Sequence, residues 1–390
     1  MEIIIIEDDD HIDDCEIQES LIIKKFGDGV SWKRGKLLGE GGFGAVFIAT
    51  MNHHHAAASP TVMAVKSAEI SNSDSLRLEK KVLSRLVGCP NIIQCLGEEV
   101  TRGVDGSEVY NILLEYGSGG SLAERIYNSR GKGLPEYEVQ WYTRSILKGL
   151  MKIHGAGFVH RDLKADNILL VPRNRESCLP KFNAKICDFG LAKPANQDRK
   201  KKRKLSDRTW WGTLMYLAPE AVREARQEPP GDMWSLGCVV LEMLTGIAPW
   251  YLDEKALPPA EEEGDYLLKK LRGGRAVPKI PERLSKDAKN FLKCCLYRTP
   301  KNRATAKTLL FGHPFVNGLR DEDGFCPGGG VVANLVEDMK GSKELPWLTL
   351  RGNLPLPGLM HYAAKTITTI SFLFNHLMKS CIYFVTVKSI

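Results

Sequence analysis

Residues 39–46 read Gly-Glu-Gly-Gly-Phe-Gly-Ala-Val and place three glycines in a G-x-G-x-x-G spacing. This spacing lets the backbone lie close to phosphate groups, and dinucleotide-binding turns and other phosphate-covering loops both use it. Residues 46–50 are β-branched and aromatic and favour a strand, whereas a dinucleotide turn opens a helix. A Walker loop is excluded because no Gly-Lys-Ser/Thr follows. The stretch therefore predicts a strand–loop–strand hairpin over a phosphate ligand, with an ordinary glycine-rich turn as the alternative.

The length and composition limit the class of protein. A chain of 390 residues exceeds one small core and predicts two or three domains or lobes. A hydrophobic share of 43% and a charged share of 26% are typical of a soluble globular protein. The net charge of +7 suits acidic partners without requiring a specific nucleic acid. The ten cysteines include no C-x-x-C pair, so neither a zinc framework nor a dense disulfide scaffold is predicted. A reducing compartment follows, the cytoplasm and/or the nucleus.

The character of the sequence changes twice along the chain. Residues 1–31 are rich in carboxylates and predict an acidic, disordered arm, either solvated or docking onto a basic partner. Residues 32–316 carry the regular patterns, β-rich at first and then mostly helical, with loops at 160–220. Residues 317–390 form a tail of uncertain structure. Its longest apolar run is shorter than the roughly 20 residues that a spanning helix needs, so no membrane span is expected.

A lysine follows a short apolar stretch soon after the glycine hairpin, at Lys66. An ammonium group buried there needs an anionic partner. In the helix predicted over residues 73–87, Glu79 shares a stripe with leucines, on the face that should be apolar. Glu79 is therefore either an inward partner that holds Lys66 against phosphate oxygens or a surface acid at the edge of the stripe.

A polar loop between two apolar runs carries Asp162, Lys164 and Asn167. Asp162 can accept a hydroxyl proton, Lys164 can neutralise a migrating phosphoryl group, and Asn167 can ligate a metal. Asp188 places a further carboxylate at the end of an apolar strand. Phosphoryl transfer requires positioning and charge neutralisation, usually by magnesium on oxygen ligands. Asn167 and Asp188 supply such ligands.

Taken in order, these stretches resemble the motifs of the eukaryotic protein kinases. The resemblance covers about residues 32–316 and implies an α+β fold of two lobes, a small β-rich N-terminal lobe and a larger helical C-terminal lobe. Arg303 resembles the late arginine that pairs with Glu220 in this family. The matching stretches are Gly39 to Val46, Met63 to Lys66, Glu79, His160-Arg161-Asp162 with Asn167, Asp188-Phe189-Gly190, Ala218-Pro219-Glu220, Asp232 to Gly237 and Arg303.

The resemblance implies ATP and Mg2+ as cofactors and a role for each matched residue. Asp162 orients and deprotonates the substrate hydroxyl, with Lys164 beside it. Lys66, held by Glu79, contacts the α and β phosphates. The magnesium ligands are Asn167 and Asp188. The residues implied in ATP binding are Leu38, Gly39, Glu40, Gly41, Gly42, Phe43, Gly44, Val46, Ala64, Lys66, Glu115, Gly117 and Leu169, with Leu114 as the gatekeeper behind the adenine.

The same resemblance indicates the acceptor and the regulation. Lys164 after Asp162, with Gly212-Thr213 before the Ala-Pro-Glu motif, is similar to serine/threonine rather than tyrosine kinases. Arg161 beside Asp162 predicts an anionic partner, which a phosphorylated activation segment, the stretch between Asp188 and Glu220, supplies. Thr209 is the expected phosphorylation site and Ser206 the alternative.

Four stretches, residues 86–97, 115–122, 235–250 and 309–315, resemble mitogen-activated protein kinase kinase kinases, above all the plant members. This implies a protein substrate, a downstream kinase kinase, while the oligomeric state stays unknown. The alternatives are another serine/threonine kinase of the same broad group and a pseudokinase scaffold. The scaffold usually lacks the lysine or one of the two aspartates, which are all present here. A small-molecule phosphotransferase would lack the Ala-Pro-Glu motif.

Residues 199–204, Arg-Lys-Lys-Lys-Arg-Lys, lie inside the activation segment. A solvated basic loop is the simplest interpretation. The run also resembles a nuclear-localisation patch. A third interpretation is an internal partner for phosphorylated Thr209 or for the acidic arm.

Overall fold

The computed structural model of the chain describes residues 23, 25–42, 44–51, 62–173, 180–196, 210–252, 259, 261–273 and 276–317. These residues form two compact units. The first comprises the chain up to Ser118 together with Cys187–Ala192, and the second comprises Gly119–Ile186 and the chain from Lys193 onward.

The first unit is built on a five-stranded sheet with the strand order β1-β2-β3-β5-β4. Neighbouring strands run antiparallel throughout. The helix α1 packs against β3 and β5. The elements of this unit are β1 (Trp32–Gly41), β2 (Gly44–Met51), β3 (Val62–Glu69), α1 (Asp74–Leu83), β4 (Cys95–Arg102) and β5 (Glu108–Glu115).

Strands β2 and β3 show why this sheet has an interior on both faces. In β2 the buried residues alternate, with Ala45, Phe47 and Ala49 fully inside, which is the period of a half-buried strand. In β3 six consecutive residues are buried, so both faces of this strand are covered. The polar pair Lys66 and Ser67 is therefore held inside the unit.

The helix predicted over residues 73–87 is shorter, because the regular helix ends at Leu83 and turns follow it. Its buried stripe is nevertheless the expected one. Leu76, Glu79 and Leu83 are buried on the helix, and Leu86 is buried in the turn beyond it.

A short segment before β1 also packs on the sheet, although it lies in the range that the sequence analysis assigns to the acidic arm. Phe26 lies in a cluster with Ala45, Phe47 and Val109. The Thr101 hydroxyl donates to the Phe26 carbonyl oxygen at 2.7 Å. Packed structure in this unit therefore begins before Trp32.

The second unit is mostly helical and contains two short antiparallel strand pairs, β6 with β9 and β7 with β8. The apolar strand expected before Asp188 is present as β8, whereas its partner β7 lies where the sequence predicted only a loop within residues 160–220. The elements are α2 (Leu122–Tyr127), α3 (Glu136–Gly155), β6 (Phe158–Val159), β7 (Ile168–Pro172), β8 (Phe182–Ile186), β9 (Lys193–Pro194), α4 (Pro219–Glu224), α5 (Pro229–Thr245), α6 (Glu263–Gly273), α7 (Lys286–Cys295), α8 (Ala306–Gly312) and α9 (Pro314–Asn317).

Helix α5 is the centre of the second unit. Most of its residues are buried, as expected for a helix that is apolar on nearly every side. Two prolines open it at its first turn, and Gly246 ends it with φ at +72°. Its first turn also buries Asp232, which faces the polar loop described below. None of the described helices combines the length and apolar character that crossing a membrane requires.

Candidate active site

In the first unit, Lys66 lies between two carboxylates. Its Nζ is 2.8 Å from Glu79 Oε2 and 2.9 Å from Asp188 Oδ1. Glu79 is 1% exposed, and its other oxygen accepts the backbone amide of Phe189 at 3.2 Å. The predicted contact between Lys66 and Glu79 is therefore present, and Glu79 is the inward partner rather than a surface acid.

The charge on Lys66 is maintained by this arrangement. Burial alone would lower the pKa of the ammonium group, but Glu79 and Asp188 outweigh it and raise the pKa above its ordinary value. Lys66 thus stays protonated at neutral pH and can neutralise anionic oxygens. Asp188 itself adopts φ +60°, a left-handed conformation that aspartate tolerates better than most residues and that is often found at functional sites.

The glycine hairpin joins β1 to β2 in the same unit. A Cβ added at Gly39 or Gly41 would meet nothing within 4 Å, whereas at Gly44 it would lie 2.2 Å from the Ser67 carbonyl oxygen. Gly44, with φ at +118°, is therefore required by the fold itself. Packing among the described residues does not explain the first two glycines, and the space beside them leaves their backbone open to a ligand.

The other predicted ATP-binding residues of the first unit fall on its strands. Val46 is opposite Lys66, and Ala64 is opposite Leu114. Glu115 ends β5, and its amide donates to the Gln94 carbonyl oxygen at 2.9 Å. Phe43 lies outside the described residues. The exposed members of the set are Leu38, Gly39, Glu40, Gly41 and Gly42, while Ala64 and Gly117 are buried.

In the second unit, Asp162 is held by a network of its own. One of its carboxylate oxygens, Oδ1, accepts both the amide and the hydroxyl of Thr213, at 2.8 Å each. Its carbonyl oxygen accepts the side-chain amide of Asn167 at 2.8 Å. Because the nitrogen of the Asn167 side chain is directed to Asp162, the amide oxygen is its group for ligating a cation.

Two further predicted residues lie near this loop in the second unit. Lys164 is half-buried, and its carbonyl oxygen accepts the Asn167 amide at 3.1 Å, while its side chain makes no hydrogen bond or ion pair within the part of the chain that the structure describes. Leu169 lies on β7, opposite Lys185 on β8, and forms a bridge with Ser121.

Asp232 fixes the backbone of the loop that carries Asp162, called the catalytic loop from here on. Its Oδ2 accepts the His160 amide and lies 2.9 Å from His154 Nε2, while its Oδ1 accepts the Arg161 amide at 3.0 Å. Burial would raise the pKa of Asp232, but the contacts with His154 and His160 outweigh it and hold the pKa below its ordinary value. Asp232 is therefore a charged anchor, and Arg161, with φ at +72°, is held in a left-handed conformation.

The activation segment is described only in part. Its closing motif is tied to the end of the unit because Arg303 Nη2 lies 2.7 Å from Glu220 Oε2, with both side chains buried. The predicted pair of Glu220 and Arg303 is thus confirmed. Thr209, Ser206 and the basic run 199–204 lie outside the described residues, so the predictions made for them stay predictions.

A profile described as the protein kinase domain matches residues 32–316. The chain belongs to the protein kinase family. Among curated proteins, this kinase is similar to mitogen-activated protein kinase kinase kinase 20 of Arabidopsis thaliana. The identity is 40% over 293 residues, which cover 74% of this chain and 78% of the relative. Kinase kinase kinase 18 of the same plant is 36% identical over 292 residues, which cover 74% of this chain and 78% of the relative. Kinase kinase kinase 17 is 34% identical over 300 residues, which cover 77% of this chain and 73% of the relative. The protein is a serine/threonine protein kinase.

The residues of this kinase fit the cofactors of its family. The amide oxygen of Asn167 and the carboxylate of Asp188 are the hard donors that magnesium prefers. The open space above Gly39 and Gly41 and the permanently charged Lys66 suit a polyphosphate. A kinase domain uses ATP, and both features belong to the residues predicted to bind it.

Two functional contacts were missed by sequence reasoning. In the sequence, Thr213 is a marker of acceptor class and Asp232 marks the start of a helix, whereas in the folded kinase both residues bond to the loop that carries Asp162. Their partners are 51 and 71 positions away in sequence. No local pattern signals contacts of this length, and only the family motifs that contain the two residues hint at them.

Proposed function

We propose that this kinase acts as a mitogen-activated protein kinase kinase kinase and phosphorylates serines and threonines in the activation loop of a downstream kinase kinase. The observation that carries the proposal is the 40% identity to kinase kinase kinase 20 over 78% of that relative's length. Kinase kinase kinase 18, at 36% identity over a similar share, supports the same tier.

The residues proposed to bind ATP have separate roles. The backbone around Gly39 and Gly41 covers the phosphates, and Lys66 neutralises their charge while Glu79 keeps its ammonium group in place. Magnesium, when bound, would supply further neutralisation of the phosphate oxygens, with Asn167 and Asp188 as its ligands. The side chains proposed to contact adenine are Val46, Ala64 and Leu169, with Leu114 behind them and the backbone of Glu115 and Gly117 at the edge of the base.

Asp162 is the proposed base for the acceptor hydroxyl. The two hydrogen bonds from Thr213 occupy Oδ1 and restrain the rotation of the carboxylate, so Oδ2 is the oxygen proposed to face the hydroxyl. Oδ2 also accepts the Asn167 side-chain amide at 3.2 Å. Lys164, which is half-buried and two residues further along, is proposed to neutralise the phosphoryl group in transfer.

Phosphorylation of Thr209 is the proposed activating step, with Arg161 as the cation that receives the phosphate. Arg161 is adjacent to Asp162, and its guanidinium lies 6.0 Å from the ring centre of Trp211 in the activation segment. We expect Thr209→Ala to lower activity more than Ser206→Ala. Full activity of both variants would contradict this regulation.

The test of the proposed function is a phosphotransfer assay with the full chain, labelled ATP and magnesium. The acceptors are a panel of catalytically inactive kinase kinases and one generic basic protein. Asp162→Asn is compared with the matched change Asp287→Asn, at an exposed aspartate in the first turn of α7. We expect transfer to serine or threonine of a kinase kinase by the wild type and by Asp287→Asn, and none by Asp162→Asn.

The other outcomes separate the alternatives. Transfer to the generic protein alone would retain the kinase and contradict its place in the cascade. Absence of transfer from a preparation phosphorylated at Thr209 would favour the scaffold.

A further inference from the structure

Gln227 makes an unusual pair of contacts with the activation segment. Its side-chain oxygen accepts the backbone amide of Trp211 at 3.0 Å, and its side-chain nitrogen donates to the carbonyl oxygen of the same residue at 2.6 Å. Gln227 is 6% exposed. One buried carboxamide thus satisfies both polar backbone groups of a single residue, as a neighbouring strand would do in a sheet.

Trp211, which Gln227 holds in this way, lies two residues before Thr213, the residue that donates to the catalytic aspartate Asp162. Gly212 follows Trp211 with φ at +107°, and a Cβ there would lie 2.4 Å from the Arg161 carbonyl oxygen. Thr213 then donates twice to Asp162. Because Gly212 is pressed against the catalytic loop, a displacement of Trp211 would be transmitted to Thr213 over only two residues.

Three polar residues around the start of α5, Gln227, Glu228 and Asp232, each hold a different stretch of backbone. Glu228, the next residue, accepts the Asn196 amide at 2.8 Å and pairs with Lys193 at the beginning of the segment. Asp232 holds the catalytic loop through the His160 and Arg161 amides. The third piece, the end of the segment at Trp211, is held by Gln227.

We propose that Gln227 is a positioning residue for phosphoryl transfer, which fixes the backbone of Trp211 and thereby sets Thr213 against Asp162. Gln227 does not touch the reacting atoms and acts through Trp211. Trp211 is 43% exposed, so Gln227 also restricts where the Trp211 side chain lies on the surface beside the catalytic loop. The inference rests on the proposed role of Asp162 in protein phosphorylation, but not on which protein is the acceptor.

Gln227→Glu is the sharpest variant because it keeps the shape of the side chain. The introduced carboxylate would face the Trp211 carbonyl oxygen and repel it, whereas the protonated carboxyl could donate to that oxygen again. Gln227→Met removes both hydrogen bonds at every pH. Gln94→Glu is the matched control, since the Gln94 side chain also bridges backbone groups, donating to the Cys89 and Ile92 carbonyl oxygens.

The measurements are kcat and KM for phosphorylation of the generic basic protein by the full chain, with ATP varied separately, between pH 6 and 8.5. At pH 8 we expect kcat/KM for the protein to fall about tenfold or more in both Gln227 variants, with KM for ATP within about twofold of wild type. The loss in Gln227→Glu should shrink as the pH is lowered, and the loss in Gln227→Met should not. Gln94→Glu should retain the wild-type constants for the protein substrate.

Amide hydrogen exchange of the peptide containing Trp211 and Thr213 gives a readout independent of activity. We expect faster exchange in Gln227→Glu than in wild type or Gln94→Glu. Unchanged exchange, or unchanged kcat/KM with a folded variant, would overturn the proposal. So would a loss that affects ATP and protein equally and does not depend on pH, because it would indicate a structural role alone. Transfer to the generic protein but to no kinase kinase would contradict the cascade assignment and leave this comparison intact.

Discussion

The backbone amide and the hydroxyl of Thr213 both donate to the same carboxylate oxygen of Asp162, at 2.8 Å each. Two donors on one oxygen restrain the plane of the carboxylate, whose second oxygen accepts the Asn167 side-chain amide at 3.2 Å and is the one proposed to face the acceptor hydroxyl. The hydroxyl bond depends on the identity of residue 213, whereas the amide bond depends only on the path of the backbone. The two contributions are therefore separable by mutation.

Thr213→Val should lower kcat by roughly 10- to 100-fold, because a hydrogen bond to a charged group contributes about 1.5–3 kcal/mol. The substitution keeps the volume of the side chain and removes only the hydroxyl. Thr213→Ser restores the donor and should remain within about threefold of wild type. The measurement is kcat for protein phosphorylation at saturating ATP. Equal losses in the valine and serine variants would show that the hydroxyl is not the group that matters.

Lys66→Met should destabilise the first unit as well as abolish catalysis. The change leaves Glu79, which is 1% exposed, without its cation, and breaking one half of a buried pair typically costs about 3–5 kcal/mol. Adding Glu79→Leu removes the carboxylate that lost its cation, and the double variant should recover much of the lost free energy of unfolding without recovering activity. Urea unfolding of the three proteins provides the comparison. A Lys66→Met protein as stable as wild type would argue against the buried pair.

Gly212→Ala should reduce phosphotransfer strongly, because residue 212 has φ +107° and its new Cβ would lie 2.4 Å from the Arg161 carbonyl oxygen. Relief of that clash must displace either the catalytic loop or the activation segment. Gly231→Ala is the matched control, since a Cβ on this residue of α5 meets nothing within 4 Å. It should be neutral or stabilise slightly, as alanine does in a helix. Rates and thermal midpoints of both variants test the pair, and similar losses in the two would contradict the argument.

His313 should make the kinase less stable as the pH falls below neutral. Its Nδ1 accepts the Phe315 amide and its Nε2 contacts the Asn290 side-chain oxygen, which suits the neutral ring. Burial lowers the pKa of His313 from 6.5 to about 4. The unfolded chain therefore binds a proton in the window between these two values while the folded chain does not. Stability is retained above pH 6.5 and lost as the pH falls toward 4, by about 2 kcal/mol at pH 5.

The measurement is the free energy of unfolding of the second unit between pH 8 and 5. His313→Asn keeps an acceptor for the Phe315 amide and removes the titration. It should be less stable than wild type at pH 8 but should lose about 2 kcal/mol less on acidification. An identical slope in the two proteins would assign the acid sensitivity to other groups.

The sequence predicted the contact of Lys66 with Glu79 because the signal is local. A glutamate on the apolar stripe of a helix is conspicuous. Because burial of that stripe also buries the carboxylate, the glutamate needs a cationic partner. The same reasoning could not find Asp188 as the second partner of Lys66, which lies 122 positions away. Nor did it find β7, the strand that pairs with the expected strand before Asp188, because a run of five residues is too short to show a period.

The sequence by itself determined the family of this protein, and it predicted the chemical groups of the candidate active site and the order in which they occur. Glycine spacing, strand alternation and the helical stripe are read over a few residues, since they reflect backbone geometry and the burial of apolar surface. Only the tertiary structure decided that Thr213 orients Asp162, that Asp232 holds the catalytic loop and that Gln227 fixes Trp211. A threonine, an aspartate or a glutamine carries no local mark of its partner. These small polar groups acquire a role only when distant parts of the chain pack together and their unpaired donors and acceptors must be satisfied away from water.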